Sequence, residues 1–440
     1  MTRSHRCRPA ACLLAASLAL GLAPGLAAAS AGTSEKAAPY VADADARIVH
    51  ALNRLAFGPR PGDVERIRER GLERWIEEQL HPERIPDPAL AGRLAAYPTA
   101  GLPTRTLLAK YEVPPDARRR IQSEIAAREQ AGTPVPDAGS EQGRRQRRQL
   151  LEELGVKLDG SPRQVVAELQ AAKIARAVHS ERQLEEVLVD FWLNHFNVDA
   201  NKGPVKFLAA EYEREVIRPL AFGRFEDLLL ATAKSPAMLF YLDNWLSADP
   251  EAAKRVRERF SRSAARGGMG GRRVPPGARE LLARRSGLNE NYAREIMELH
   301  TLGVEGGYDQ QDVTELARCL TGWTIQGLRD EPRFHFQERL HARGSKRVLD
   351  HEIEKGGRRE GEQAIHLLAT HPATARFVSA KLARRLVADE PPAALVTRAA
   401  ETFRRTDGRI REVVRTIVES PEFWQARGEK LKTPFEFVVS

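Results

Sequence analysis

Apolar residues recur at three- and four-residue intervals along nearly the whole chain, and strict alternation of β-branched residues is almost absent. That spacing predicts a mainly α protein, a multi-helix globular domain with at most a small β-hairpin. Ile48, Leu52 and Leu55 make one stripe, stopped by Gly58-Pro59. Val64 and Ile67 make the next, stopped by Gly71, and Leu72, Trp75, Ile76 and Leu80 make a third. Start signals agree. Asp87-Pro88 and Ser161-Pro162 each put a capping side chain before a first-turn proline, and Ser180 with Gln183 has the spacing of a capping box. Only Thr324–Gln326 and Arg333–Gln337 read as strands, the two arms of a hairpin.

The first residues follow a different rule. Arg3, Arg6 and Arg8 precede an apolar stretch from Ala10 to Leu22, and Pro24-Gly25 then leads to Ala27-Ala28-Ala29. This is the layout of a secretory signal peptide over residues 1–29, cut after Ala29 or Ala31, which predicts export by the Sec route to the periplasm or medium with no transmembrane anchor left after cleavage. Residues 30–44 then read as a flexible linker, 45–130 as an N-terminal helical lobe, 131–147 as a loop and 148–440 as the main helical domain. Within that domain, residues 257–285 hold nine arginines, two glutamates and a Gly267-Gly268-Met269-Gly270-Gly271 core, the composition of a disordered Arg/Gly-rich insertion.

Charge adds less than it first suggests. The chain has 440 residues, with 69 Lys+Arg against 60 Asp+Glu for a net +9. Cleavage removes three arginines, which leaves +6, and the 257–285 segment alone carries +7. That segment is a candidate contact for polyanions, but it lacks interleaved aromatic residues to stack bases, which argues against nucleic acid. Cleavage would also remove Cys7 and Cys12, leaving Cys319 on an amphipathic stretch as a buried apolar residue.

Two segments carry candidate chemistry. In Asp190–Val198, His195 shares a helix face with Leu184 and Leu188, and Asn194 lies beside it; His195 is either a satisfied core histidine or a proton carrier on a pocket floor. In Leu288–Gly303, Asn289 is a natural helix cap and Gly303 a natural stop, with Tyr292, Ile296 and Leu299 as the core stripe. Asn291, Arg294, Glu295 and Glu298 line the other side. Carboxylates three apart beside His300 suit general acid and base work or a divalent cation, whose identity the spacing leaves unknown. The competing account pairs Arg294 with Glu290 or Glu298 on a solvated face. His371 before Pro372 reads as a helix start. The chain holds no Gly-x-Ser-x-Gly, phosphate loop, Gly-x-Gly-x-x-Gly, Cys-x-x-Cys-His or His-Glu-x-x-His, which argues against common hydrolases, nucleotide enzymes, c-type cytochromes and zinc proteases.

These motifs together resemble a bacterial family, domain of unknown function 1800. The resemblance runs over about residues 45–440. It is carried by Leu52-Asn53-Arg54-Leu55-Ala56-Phe57-Gly58-Pro59, Phe191-Trp192-Leu193-Asn194-His195-Phe196, Tyr241-Leu242-Asp243-Asn244, the 288–308 segment, Thr321-Gly322-Trp323, His371-Pro372-Ala373-Thr374-Ala375 and Lys432-Thr433-Pro434-Phe435-Glu436-Phe437. One departure stands out: His341-Ala342-Arg343-Gly344-Ser345-Lys346 has alanine where the family has aspartate. The family pattern also runs on past the last helix, so the C-terminus reads as truncated. The resemblance implies an exported helical protein whose gene neighbours an exported alkaline-phosphatase-like protein, a candidate partner. It assigns no catalytic residue. Two functions therefore stand as expectations. One is a polar pocket of His195, Asn194, Asp243, Asn244, Asn289, Asn291, Arg294, Glu295, Glu298 and His300 for hydrolytic or metal-assisted chemistry on envelope or extracellular material. The other is a non-catalytic binding or accessory module docking the phosphatase-like protein.

Overall fold

Local capping chemistry starts several helices where the sequence places it. Ser161 accepts from the amide of Gln164 at the head of Pro162–His179, and Asp309 forms a reciprocal capping box with Asp312 at the head of Gln310–Cys319. The His371 ring accepts from the amide of Ala373 to start Pro372–Leu386, as read. Two start signals work differently. The Asp87 carboxylate makes no bond to its own helix but accepts from the Ser180 hydroxyl and the Glu181 amide, 93 and 94 residues on. Gln183, meanwhile, donates to the carbonyls of Ala177 and Ser180, so Ser180 and Gln183 brace a turn and form no capping box.

The computed structural model describes residues 39–132, 140–265 and 287–440. The signal-peptide segment, the linker up to residue 38 and residues 266–286 of the basic insertion lie outside that set. Two segment boundaries are corrected. The helix Pro39–Leu55 occupies the end of the expected linker, and Glu141–Glu153, capped by Ser140, takes up the second half of the expected 131–147 loop. Ser140 supplies a cap that outweighs the low apolar content of the following turn. Likewise Pro250–Ala265 carries helix into the first part of the segment expected to be disordered. Among the described residues, no helix is long and apolar enough to cross a membrane.

The helices up to Leu80 pack into the main core. Ile48, Leu52 and Leu55 belong to the same buried cluster as Trp192, Tyr292, Trp323, Phe423 and Val439. His50 donates from Nε2 to the carbonyl of Phe423 at 2.7 Å, and Arg54 donates to that of Ala426 at 3.2 Å. These long-range bonds make Asp43–Ser440 one compact unit. Smaller apolar clusters form around Leu107, Tyr111 and Phe207, and around Ile121 and Leu150.

Among the described residues, the β content is two antiparallel hairpins. Trp323–Gln326 pairs with Arg333–Phe336, as the sequence predicts, with Trp323 opposite Phe336. The second, Lys346–Val348 with His351–Ile353, turns through Leu349 at φ 48° and Asp350 at φ 63°. A two-residue turn with both φ values positive matches strand twist, but it normally carries Asn-Gly, so Leu-Asp gives no sequence signal. Two helices also contain π-helical turns, Tyr212–Ile217 and Ile296–Thr301. Their wider winding resets which side chains face inward.

Candidate functional site

The π turn decides what the 289–301 segment presents. Asn289 caps it as predicted, accepting from the Tyr292 amide at 3.0 Å, while its own amide group donates to the Leu242 carbonyl at 2.6 Å. Tyr292 and Ile296 are buried, but Leu299 is 47% exposed. The expected core stripe fails at its third member because the chain shifts to five-residue spacing, with Leu302 N donating to Met297 O at 2.7 Å. Met297 and His300 take the inward positions instead.

His300 thereby meets His195, the last residue of helix Gln183–His195. The two rings lie 6.1 Å apart, and His195 Nε2 stands 3.0 Å from the His300 main-chain carbonyl. A carbonyl only accepts, so Nε2 carries the proton and Nδ1 is a bare acceptor, which has no partner. Phe191, Trp192, Phe196, Phe225 and Phe377 surround the His195 ring at 4.5 to 6.3 Å. Burial, reinforced by the Lys381 charge, pushes His300 down to about 3 and His195 well below its ordinary value. Burial also lowers the Lys381 ammonium to about 8. At neutral pH both imidazoles are uncharged.

The carboxylates face elsewhere. Glu295 is pushed upward by partial burial and by Glu298, and Glu298 accepts from the Tyr308 hydroxyl at 3.4 Å. Arg294 pairs with neither glutamate; it donates to Gln310, which in turn donates to Glu290 at 2.8 Å. Asn291 and Asn194 are exposed, and the Asn194 amide group donates to the Asp190 carbonyl one turn back. Asp243 sits at φ 59° and ion-pairs with Lys202 at 2.7 Å. Asn244 is buried and donates to the carbonyls of Leu320 and Trp323, bracing the first hairpin.

The structure thus joins His195 with His300 and, separately, Glu295 with Glu298. It does not converge the ten residues on one pocket. Among the described residues, no three His, Cys, Asp or Glu side chains are placed to hold a metal ion. The π turn carries His300 inward, away from the carboxylates. Cavities lie elsewhere: one of 510 Å³ is lined by Arg60, Asp63, Arg66, Arg70 and Glu181, whose charges largely pair with one another. Another, of 370 Å³, lies beside Arg54.

One polar centre escaped sequence reasoning. His341, Lys346 and Glu360 meet in the core, with His341 Nε2 3.0 Å from Glu360 and the Lys346 ammonium donating to the same oxygen. Glu360 also accepts from the amides of Gly356 and Gly357. Burial works against its charge, but the Lys346, Gly356 and His341 bonds prevail and hold the carboxyl at about 2. The His341 to Lys346 spacing was visible, and Glu360 supplies an acid to both in a chain that has Ala342 where the resemblance expects aspartate. Cys319 is buried as expected, and burial pushes its thiol up to about 12.

A mainly α fold with two small hairpins, closed around a buried histidine pair and a buried Lys–Glu–His centre, is the class of protein that these elements define. The model of the family described as protein of unknown function (DUF1800) matches residues 50–440, and the chain belongs to that family. No curated protein and no solved structure matches it.

Proposed function

We propose that this chain is an exported helical binding module that docks an alkaline-phosphatase-like protein in the periplasm or outside the cell. The observation that carries this reading is the exposed face of the π-turn segment. Leu299 is 47% exposed beside Glu295 and Glu298 on a helix whose other side is fixed in the core, and Val304, in the turn that follows the helix, is 74% exposed. Exposed apolar residues ringed by charge on a rigid element suit a protein interface. The partner follows from the gene neighbourhood that the family resemblance implies, and export from the layout of residues 1–29.

The test is size-exclusion chromatography of the mature chain mixed with such a phosphatase-like protein. Leu299→Asp with Val304→Asp should abolish a shared peak while leaving the thermal midpoint unchanged. A complex that survives the double substitution overturns the reading. N-terminal sequencing of the chain recovered from the periplasm checks export, and Met1 still in place counts against it.

A second reading, hydrolytic chemistry with His195 or His300 as proton carrier and Glu295 or Glu298 as base, is supported by the unpartnered Nδ1 of His195. It requires the aromatic cage to open on substrate binding. A hydrolytic rate on envelope polymers unchanged by His195→Gln would remove it.

A further inference from the structure

Arg54 is a buried charge with an unpartnered nitrogen. Its side chain projects from the first helix into the core and is only 6% exposed. One terminal nitrogen donates to the Ala426 carbonyl at 3.2 Å, and Nε has no partner. Attraction from Glu436, Asp389 and Glu429 reaches it, but Glu436 ion-pairs with Arg385 at 2.8 Å and Asp389 with Lys430 at 2.6 Å. Burial and the neighbouring Arg385 charge both act against the guanidinium. A buried charge without a partner is strongly unfavourable, which is why such groups normally pair or bind an ion.

The surroundings supply a place for that ion. Arg54 lines a cavity of 370 Å³ together with His50, Asn53, Arg427, Lys430 and Lys432, and the lining contains no carboxylate. Arg427 and Lys430 are each shared with an aspartate, Asp43 and Asp389. Lys432 makes a long bond, 3.4 Å, to the Phe57 carbonyl; burial lowers its ammonium, with the Glu436 charge opposing and the nearby Arg54 adding to the shift. His50 spends its Nε2 proton on Phe423, and burial pushes it down to about 4, so it adds no charge at neutral pH.

We propose that this cavity is a binding site for a phosphate group, held by the Arg54 guanidinium and the Lys432 ammonium and taken as a small phosphomonoester. The planar fork of an arginine engages two oxygens of a tetrahedral oxyanion, and lysine adds a point charge to a third. A dianion supplies counter-charge to a lining that holds four basic side chains and no carboxylate. The volume exceeds that of inorganic phosphate and falls at the small end of ligand sites, which run from about 300 Å³ upward. The site uses no residue of the Leu299–Val304 face, so either idea can fail without the other.

The test is calorimetric titration of the full chain with inorganic phosphate and with glycerol 3-phosphate at fixed ionic strength, and flotation with vesicles containing phosphatidic acid. Lys432→Gln should weaken binding about tenfold and Arg54→Gln should abolish it. Arg54 is buried, so Lys432→Gln, at a more accessible position, keeps the proposal open to refutation if Arg54→Gln does not fold. Binding to free phosphoester that the variants remove supports the site. Binding only to phosphatidic acid vesicles, also removed by the variants, supports it with a lipid headgroup as the source. No binding to any of the three probes, or binding indifferent to Lys432→Gln, overturns it.

Discussion

His195 donates its Nε2 proton to the main-chain carbonyl of His300, 105 residues further along the chain, at 3.0 Å. The bond ties the end of one helix to the π turn of another, and it fixes which nitrogen is bare. His195→Phe keeps an aromatic ring in the cage but leaves that buried carbonyl without its donor. The variant should lose about 1 kcal/mol of stability, measured as a lower urea midpoint at unchanged slope. A midpoint equal to that of the parent would show that the bond contributes nothing.

The buried imidazoles make stability depend on pH in a defined window. His300 is held at about 3 and His50 at about 4, and His195 also lies well below its ordinary value. Unfolded histidine takes up its proton near pH 6.5, so below about 6.5 the unfolded chain binds more protons than the folded one. Their contribution is therefore complete above that pH and is lost as the pH falls toward the folded values, at up to about 1.4 kcal/mol per unit per histidine. Urea melts from about pH 7 down to about pH 4.5 should show the decline. His50→Gln, whose amide can still donate to Phe423, should make it shallower; an unchanged slope would remove His50 from the account.

Lys346 makes the Glu360 carboxylate indispensable. Glu360→Gln leaves a buried ammonium without its counter-ion, at a cost of about 3–5 kcal/mol. Replacing both partners, Lys346→Met with Glu360→Leu, should recover much of that loss, since two apolar groups leave no unpaired charge. The double-mutant cycle by chemical denaturation checks this, and purely additive losses would contradict it.

Gly361 lies inside the helix Arg358–Thr370, where helix propensity alone favours alanine by about 1 kcal/mol. A Cβ there would stand 2.5 Å from Cζ2 and 2.7 Å from Cε2 of the buried Trp323 indole. Packing should win, with Gly361→Ala destabilising by about 1–3 kcal/mol. A raised thermal midpoint would show that the indole moves aside.

Short-range signals were legible and long-range ones were not. The stripes of Ile48, Leu52 and Leu55, the Ser161 and Asp309 caps, the His371 helix start and the Trp323 hairpin all follow from neighbours a few residues apart. The Leu299 position did not, because a π turn comes from tertiary packing and leaves no periodic trace until the spacing has slipped. Glu360 was invisible for another reason: it meets Lys346 and His341 from 14 and 19 residues away, across a hairpin whose Leu349-Asp350 turn gives no signal. Arg54 sat in a recognised motif, yet only its burial beside Ala426 distinguishes it from an ordinary surface arginine.

The bond from His50 to Phe423 spans 373 residues. A chain emerging in order from a ribosome or a translocation channel has the apolar face of Ile48, Leu52 and Leu55 ready long before Phe423 and Val439 arrive to cover it. The central core therefore cannot be completed piece by piece as the chain appears. Through most of its synthesis that face of the helix Pro39–Leu55 lacks its full cover, a surface of the kind that holdase chaperones bind.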